Sequence, residues 1–392
     1  MIGWSDINKV VVSMVPLYVP LGLGYASVKW WRMFKPNQSD AINRFNCYFV
    51  SPFFTFHYIS AVNPYHMNYR FLAGDVGAKA IAGLVLALWA NFSRRGNFSW
   101  AITSFSLSSL NNTLVVGVPL LRAMYGPDGE DLVVQSFVIQ SLIWFPLLLF
   151  MLEFRRSSHN SKNNNDDRPC QQELSSIEVI AVTTDHHVND NTIEHEENRD
   201  VTRTDATGTS TTTESTISCK DSSSSSYNTG STMIKVWKKL ARNPNCYACV
   251  IALIWALISK RWNFEMPGIV EGSALIMAKA GGGVAMFSMG LFMARQNKVI
   301  ACGVRLGLYG MLLRFVSGPL TTVIGSLALG LRSDTLRIAI VQGALPEALT
   351  AFVFALEYGL HAEVLSTAVI FGTIVSLPLL IGYYAILDVL HV

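Results

Sequence analysis

The chain alternates long apolar runs with short polar connections over most of its length. A run of roughly 20 apolar residues is long enough to cross a bilayer as a helix. The pattern predicts ten such spans and therefore an all-α membrane protein. The predicted spans are residues 8–29, 42–62, 69–92, 100–124, 131–154, 243–260, 268–294, 298–328, 333–356 and 362–389.

One stretch of different character separates the fifth span from the sixth. Residues 155–235 are rich in Ser, Thr, Asn and Asp and contain the run Ser222 to Ser226. The burial of so few apolar side chains cannot offset the entropy that a chain loses when it becomes ordered. We therefore predict a disordered loop. The loop divides the chain into residues 1–154 and 236–392, with five predicted spans in each half.

The two halves resemble each other in sequence. A gap-free alignment of the fifth and tenth spans places Pro146 on Pro378, and Tyr125-Gly126 matches Tyr358-Gly359. Because each half holds an odd number of spans, the second half enters the membrane from the opposite side. Such inverted repeats are typical of transporters, whose binding sites lie near the midplane where discontinuous helices meet. Chance similarity between Leu-rich helices is the alternative explanation.

Composition and charge narrow the class of protein. Only 15% of the residues are charged, against about 25% in a soluble domain. A net charge of +3 is too small to indicate nucleic-acid binding, and without a phosphate-binding loop or a zinc-ligand spacing we expect neither a cofactor nor an enzyme. Basic residues cluster on one side of the first five spans, which predicts a cytosolic central loop and lumenal or extracellular termini.

Two ionisable residues lie inside the third span. An ionised side chain at mid-helix costs about 3 kcal/mol on insertion scales. The i, i+4 spacing of Asp75 and Lys79 places them on one face of a helix, where they can pair. We expect Gln140 in the fifth span to complete this polar patch. The patch is either a purely structural ion pair or the support of a binding site.

Two spans contain residues that interrupt a helix. Asn111 and Asn112 interrupt the fourth span, and Asn is a strong helix N-cap. A half-helix starting there would point free N–H groups and its positive dipole end at a carboxylate in mid-membrane. Pro346 interrupts the ninth span at the matched place and suits the first turn of a new half-helix. Glu347 would then either satisfy that helix dipole and repel a substrate anion, or be protonated.

Five stretches of the chain match one known family. They are residues 14–19 (MVPLYV), 41–45 (AINRF), 112–119 (NTLVVGVP), 243–247 (NPNCY) and 365–372 (LSTAVIFG). These stretches resemble the PIN-FORMED auxin carriers of plants, and the resemblance extends over all ten predicted spans. The short central loop, together with residues 302–303 and 357–362, is most similar to the endoplasmic-reticulum type of that family.

The resemblance implies the fold of bile-acid and sodium–proton carriers, with a scaffold of helices 1, 2, 6 and 7 and a mobile transport domain of helices 3–5 and 8–10. It implies a homodimer in membrane lipid that moves the auxin anion out of the cytosol by an elevator motion, without ATP. The family's support site corresponds to Asp75, Lys79 and Gln140. Its substrate-binding positions correspond to Ser51, Thr55, Asn112, Val115, Phe145 and Leu349.

Three departures from the family pattern leave the substrate affinity and the choice among auxins open. Asn111 replaces the usual Pro, Glu347 replaces a frequent Gln, and Phe145 replaces a common Tyr. The alternative function is a proton- or sodium-coupled carrier of another small organic anion. An internal Asp75–Lys79 pair can replace a coupling cation, which favours uncoupled transport.

Two further expectations concern the location of the protein and its regulation. The endoplasmic-reticulum membrane is the expected location, with the plasma membrane as the alternative. Ser157, Ser158 and the serine run of the loop are candidate sites for kinases.

Overall fold

The computed structural model describes residues 4–163 except 95, four isolated positions between 234 and 241, and residues 243–389 except 297–299 and 301. Most of the predicted disordered loop, including its serine run, lies outside the described residues. The helices are α1 (Trp4–Lys29), α2 (Pro36–Phe45), α3 (Ser51–Ala61), α4 (Tyr69–Phe92), α5 (Phe98–Ser109), α6 (Val118–Ile139), α7 (Phe145–Asn163), α8 (Pro244–Trp262), α9 (Gly268–Arg295), α10 (Val304–Leu312), α11 (Gly318–Ala328), α12 (Ser333–Gly343), α13 (Leu349–Glu357) and α14 (Ala362–Val389).

Six helical segments of the described chain are long and apolar enough to cross a membrane. The longest contains the second part of the fourth predicted span and all of the fifth. The second, sixth and ninth predicted spans are not among the six, so the number of ten stays a prediction. An all-α membrane protein is confirmed. The six segments are Ile7–Lys29, Tyr69–Phe92, Thr113–Ser157, Gly268–Arg295, Val304–Ala328 and Ala362–Val389.

In the described part of the chain, four helical segments widen into a π turn that ends two residues before a proline. A proline ring clashes with the carbonyl one turn earlier, and its nitrogen cannot donate a hydrogen bond, so a regular α-helix is strained there. A π turn absorbs one extra residue and relieves the clash, which lets the helix continue. The π turns Asn46–Val50, Thr113–Gly117, Gln140–Trp144 and Leu313–Ser317 precede Pro52, Pro119, Pro146 and Pro319.

The helices of the predicted scaffold pack on one another. α1 runs along α9, and α3 packs against α8 and α9. The backbones of α1 and α9 touch at Gly24 and Gly290, where a Cβ atom on either residue would lie about 2 Å from a carbonyl oxygen of the other helix. α4 packs against α11, and α10 against α14. This packing agrees with the predicted scaffold and transport domain, which stay predictions.

The glycines of the matched Tyr-Gly pairs both have a positive φ, of 70° at Gly126 and 60° at Gly359. A residue with a Cβ atom rarely adopts such a conformation. Gly126 kinks α6, and Gly359 separates α13 from α14. The predicted inverted repeat stays a prediction.

The fifth span continues further than the sequence predicts. The loop was expected to begin at residue 155, but α7 continues to Asn163. Residues 155–163 contain neither Gly nor Pro, so nothing in them stops a helix. The end of α7 is also anchored to other helices. Arg155 Nε donates to Ser99 Oγ at 2.7 Å, and Tyr358 Oη donates to Glu153 Oε2 at 2.8 Å.

A histidine joins the two halves near these bonds. His361 Nδ1 lies 2.8 Å from Thr103 Oγ1, and its imidazole ring stacks on the Trp100 indole with ring centroids 4.0 Å apart. Burial lowers the pKa of His361 below its ordinary value of 6.5, and the nearby Arg155 lowers this pKa further. The neutral imidazole is therefore the form that fits this contact.

We expect the pH dependence of unfolding to reveal this contact. The unfolded chain binds a proton at His361 at higher pH than the folded chain does, so stability is lost as pH falls below about 6.5. His361→Phe keeps the stacked ring without a proton site. Its melting temperature in detergent should fall less than that of the wild type between about pH 7.5 and about pH 5.5. His66→Phe, at an exposed position, should behave as wild type. Equal pH slopes for His361→Phe and wild type would contradict the assignment.

Candidate functional site

The two interrupted helices meet at their breaks. Residues 110–112 follow α5 and residues 346–348 precede α13, and these two segments pair as an antiparallel bridge. The Asn112 N–H donates to the Pro346 carbonyl at 2.9 Å, and the Ala348 N–H donates to the Leu110 carbonyl at 3.1 Å. We call the paired segments 110–112 and 346–348 the crossing.

The crossing corrects three sequence predictions. The N-cap of α13 is Ala348, so Pro346 and Glu347 lie before the helix and not in its first turn. The Asn112 side chain does not cap the π turn that follows it. The pairing binds the N–H groups of Asn112 and Ala348 to carbonyls of the other break, so these two groups need no side-chain cap.

All four polar groups of Asn111 form hydrogen bonds. Its N–H donates to Gln140 Oε1 at 3.1 Å, and its carbonyl accepts from Gln140 Nε2 at 2.7 Å. Its Nδ2 donates to the Gln342 carbonyl at 2.8 Å, and its Oδ1 accepts from Arg314. The side chain is buried. Asn111 is therefore a structural residue of the crossing.

A fully buried arginine lies beside the crossing. Arg314 Nη1 donates to the carbonyls of Leu107 and Leu110 at 3.1 and 3.2 Å, and Nη2 donates to the Gly343 carbonyl at 3.0 Å. The same Nη1 lies 3.6 Å from Glu347 Oε2. Arg314 thus binds the carbonyl ends of α5 and α12 and neutralises the carboxylate of the crossing. Glu347 therefore pairs with Arg314 and not with the dipole of α13, which corrects the first of the two predictions made for this residue.

Arg314 was not singled out from the sequence, although the repeat carries a signal for it. Lys79 lies ten residues after the first residue of α4, and Arg314 lies ten residues after the first residue of α10. These helices hold corresponding places in the two predicted halves. Among the described residues, each half therefore buries one cation at a corresponding position, and the repeat alone could have found the second one.

The Asp75–Lys79 ion pair forms as the spacing predicts. Lys79 Nζ donates to Asp75 Oδ2 at 2.9 Å, and both side chains are buried. Lys79 Nζ also lies 6.0 Å from the centre of the Trp144 ring. The other carboxylate oxygen accepts from Gln342 Nε2 at 3.3 Å. Gln342 thereby connects this ion pair to Asn111 and the crossing.

Gln342 lies beside the Asp75–Lys79 ion pair, where Gln140 was expected from the sequence. Gln140 uses both ends of its amide on the backbone of Asn111 and does not bond to Asp75 or Lys79. Gln342, on α12, takes the expected place. The reason is the break at Asn111, whose backbone N–H and carbonyl have no helical partner and bind the Gln140 amide instead.

Four of the six positions expected to bind substrate belong to the crossing or to the apolar cluster that includes Leu110 and Ala348 of the crossing. Asn112 belongs to the crossing itself, and Val115, Phe145 and Leu349 pack against the same apolar cluster. Val115 lies within a π turn and Phe145 directly follows one. The other two positions, Ser51 and Thr55, lie on α3.

The side chains at these positions differ in how far they are committed to the fold. Thr55 Oγ1 donates to Asn245 Oδ1 at 2.5 Å, which ties α3 to α8. Asn112 is half-buried, and its side chain caps no backbone group. Of the two asparagines at the break, Asn112 is therefore the one available to a ligand.

A cavity of about 340 Å³ opens elsewhere, between α6, α12 and α14. Asp128, Asp334 and Asp388 lie in its lining, with Arg337 and two tyrosines. None of the six expected substrate positions lines it. The cavity is therefore distinct from the candidate site beside the crossing.

Comparison with known proteins agrees with this architecture. Residues 9–384 match the family described as Membrane transport protein. The chain belongs to this family. It is 50% identical over 391 residues to "Auxin efflux carrier component 5" of Arabidopsis thaliana, with both proteins covered completely.

Two further relatives show the same full-length similarity. "Auxin efflux carrier component 8" of Arabidopsis thaliana is 36% identical over 395 residues, covering 99% of this chain and 100% of the relative. "Probable auxin efflux carrier component 1d" of Oryza sativa subsp. japonica is 32% identical over 556 residues, covering 99% and 100%. These matches confirm the resemblance and a transporter rather than an enzyme.

The two asparagines at the break should differ in their effect on stability. Asn111→Ala removes two buried side-chain hydrogen bonds, which contribute about 0.5–1.5 kcal/mol for the bond to the Gln342 carbonyl and about 1.5–3 kcal/mol for the bond from the charged Arg314. Asn112→Ala should cost less than about 1 kcal/mol, because its side chain bonds to no backbone cap position. Thermal unfolding of both variants in detergent measures this difference. Equal losses would show that Asn112 is also a structural residue.

Breaking the Asp75–Lys79 ion pair on one side should destabilise the fold more than replacing both partners. Asp75→Asn leaves an unpaired buried cation and Lys79→Met an unpaired carboxylate, and each loss typically costs about 3–5 kcal/mol. Asp75→Leu with Lys79→Met leaves no buried charge and should be near the wild type in stability. Melting temperatures of the three variants test this order. A double variant less stable than both single variants would refute it.

Proposed function

We propose that this membrane transport protein carries the auxin anion out of the cytosol. The observation that supports the proposal most directly is the half-buried Asn112 side chain, which caps no backbone group. It stands at a crossing whose Leu110 and Ala348 share an apolar cluster with Val115, Phe145 and Leu349. A small-molecule site combines apolar walls with a few polar groups that fix the orientation of the ligand. An aromatic ring bearing a carboxylate matches that combination, and the printed names of the relatives name auxin efflux.

The break in the fourth span supports an anion at this place. The first N–H groups of a helical segment have no partner within it and carry partial positive charge. The segment Thr113–Gly117 starts directly after Asn112. A carboxylate bound there accepts hydrogen bonds from these N–H groups and from the Asn112 amide, while its ring contacts the apolar side chains.

The transport step in this proposal is an elevator motion that needs no ion gradient. The support pair, Asp75 and Lys79, lies on α4, and Asn112 lies in the crossing after α5. Both therefore belong to the predicted transport domain. Since Lys79 already neutralises Asp75, the site carries its own cation. In this proposal the protein is a homodimer of the endoplasmic-reticulum membrane, with a cytosolic loop open to kinases.

Efflux of radiolabelled auxin from vesicles that contain only this protein tests the function. Wild type should carry auxin. The auxin flux of Asn112→Ala should be lower by about 10-fold or more, because a hydrogen bond to a charged group contributes about 1.5–3 kcal/mol. Asn91→Ala changes an exposed asparagine of α4 and should leave the flux unchanged. Wild-type vesicles without auxin flux, or wild-type flux by Asn112→Ala, would overturn the proposal.

The same vesicles separate uncoupled from coupled transport. Flux should be unchanged when external sodium is replaced by choline and when a proton gradient is collapsed with an ionophore. Flux that requires sodium or a proton gradient would support a coupled carrier of an organic anion instead.

A further inference from the structure

The C-terminal ends of two half-helices point at one buried place. α5 ends at Ser109 and α12 at Gly343, and the last carbonyls of a helix lack partners within it and carry partial negative charge. The carbonyls of Leu107 and Gly343 from these ends, and that of Leu110 from the crossing, converge on one position. The Asn111 Oδ1 atom and the Glu347 carboxylate reach the same position.

Arg314 fills this place completely. Its side chain is fully buried, and its two terminal nitrogens bind four of these oxygen atoms by hydrogen bonds and the fifth, Glu347 Oε2, as an ion pair at 3.6 Å. Glu347 Oε2 accepts no hydrogen bond in the described part of the chain. Only the positive charge of Arg314 therefore balances this oxygen.

We infer that the guanidinium of Arg314 takes the place of a monovalent metal ion. The oxygen atoms around it are those that would bind such an ion. Main-chain carbonyls, a side-chain amide and one carboxylate are the oxygen ligands that hard cations take in proteins. Glu347 supplies a single negative charge, which one positive charge balances. Removing the Arg314 side chain should therefore open a site for Na⁺ or K⁺.

What this inference implies for the coupling of transport to an ion gradient rests on the proposed function. A carrier with a permanent cation at its crossing has no place there for a coupling ion. The metal site of an Arg314 variant does not depend on auxin being the substrate. A test on the purified protein without substrate therefore separates failure of this inference from failure of the proposed function.

Thermal unfolding of the full-length protein in detergent tests the inference. Arg314→Ala would be compared with wild type and with Arg314→Ala/Glu347→Gln in sodium, potassium and choline chloride of equal ionic strength. The melting temperature of the single variant should be about 3 °C or more higher in sodium or potassium than in choline. This difference should saturate as the salt concentration rises. Wild type and the double variant should melt at the same temperature in all three salts. Arg305→Ala, an exposed arginine of the same helix, serves as the control.

Three outcomes would count against the inference. A single variant that melts alike in the three salts has no cation site. A single variant that is unfolded in every salt, whether or not the double variant folds, shows that a metal ion does not replace the guanidinium. A cation response that persists in the double variant places the ion away from Glu347. Folding of the single variant only in sodium or potassium would support the inference as strongly as a shift in melting temperature.

Discussion

The guanidinium of Arg314, held between the carbonyl ends of two half-helices, is the interaction on which the crossing depends. A helix that stops inside a membrane protein leaves several carbonyls without partners, and no water is present in the bilayer core to replace them. Arg314 binds such carbonyls from α5 and α12 and also pairs with Glu347. A buried charge is costly unless it is paired and hydrogen-bonded. Here the carbonyls at the helix ends accept hydrogen bonds from the guanidinium, so neither the carbonyls nor the buried charge is left without a partner.

A chain of buried polar contacts extends from this point to the Asp75–Lys79 pair. Arg314 binds Asn111, Asn111 binds the Gln342 carbonyl, and the Gln342 amide binds Asp75. Asn112 is adjacent in sequence but stands outside this chain of side-chain bonds. The crossing thus has a rigid side, made of committed polar groups, and a side where an amide and apolar side chains remain free for a ligand. Such a preformed frame lets a binding site keep its geometry.

The sequence predicted the features whose cause is local and missed those whose cause is distant. Helix α14 occupies residues 362–389 as predicted, because its apolar run is continuous. The i, i+4 pair in α4 formed for the same reason. The partners of Arg314 lie about 30 to over 200 positions away along the chain, so no local pattern shows them. The exchange of Gln140 for Gln342, and the loss of a capping role for Asn112, likewise follow from the pairing of two distant breaks.

The two buried cations make the two halves of the chain chemically unequal. Lys79 pairs with a carboxylate one turn earlier on its own helix, whereas Arg314 pairs with a carboxylate from the crossing. The two halves are therefore not interchangeable at these positions. The first half supplies both members of its ion pair from one helix, whereas the second half joins its two from segments that are separated along the chain.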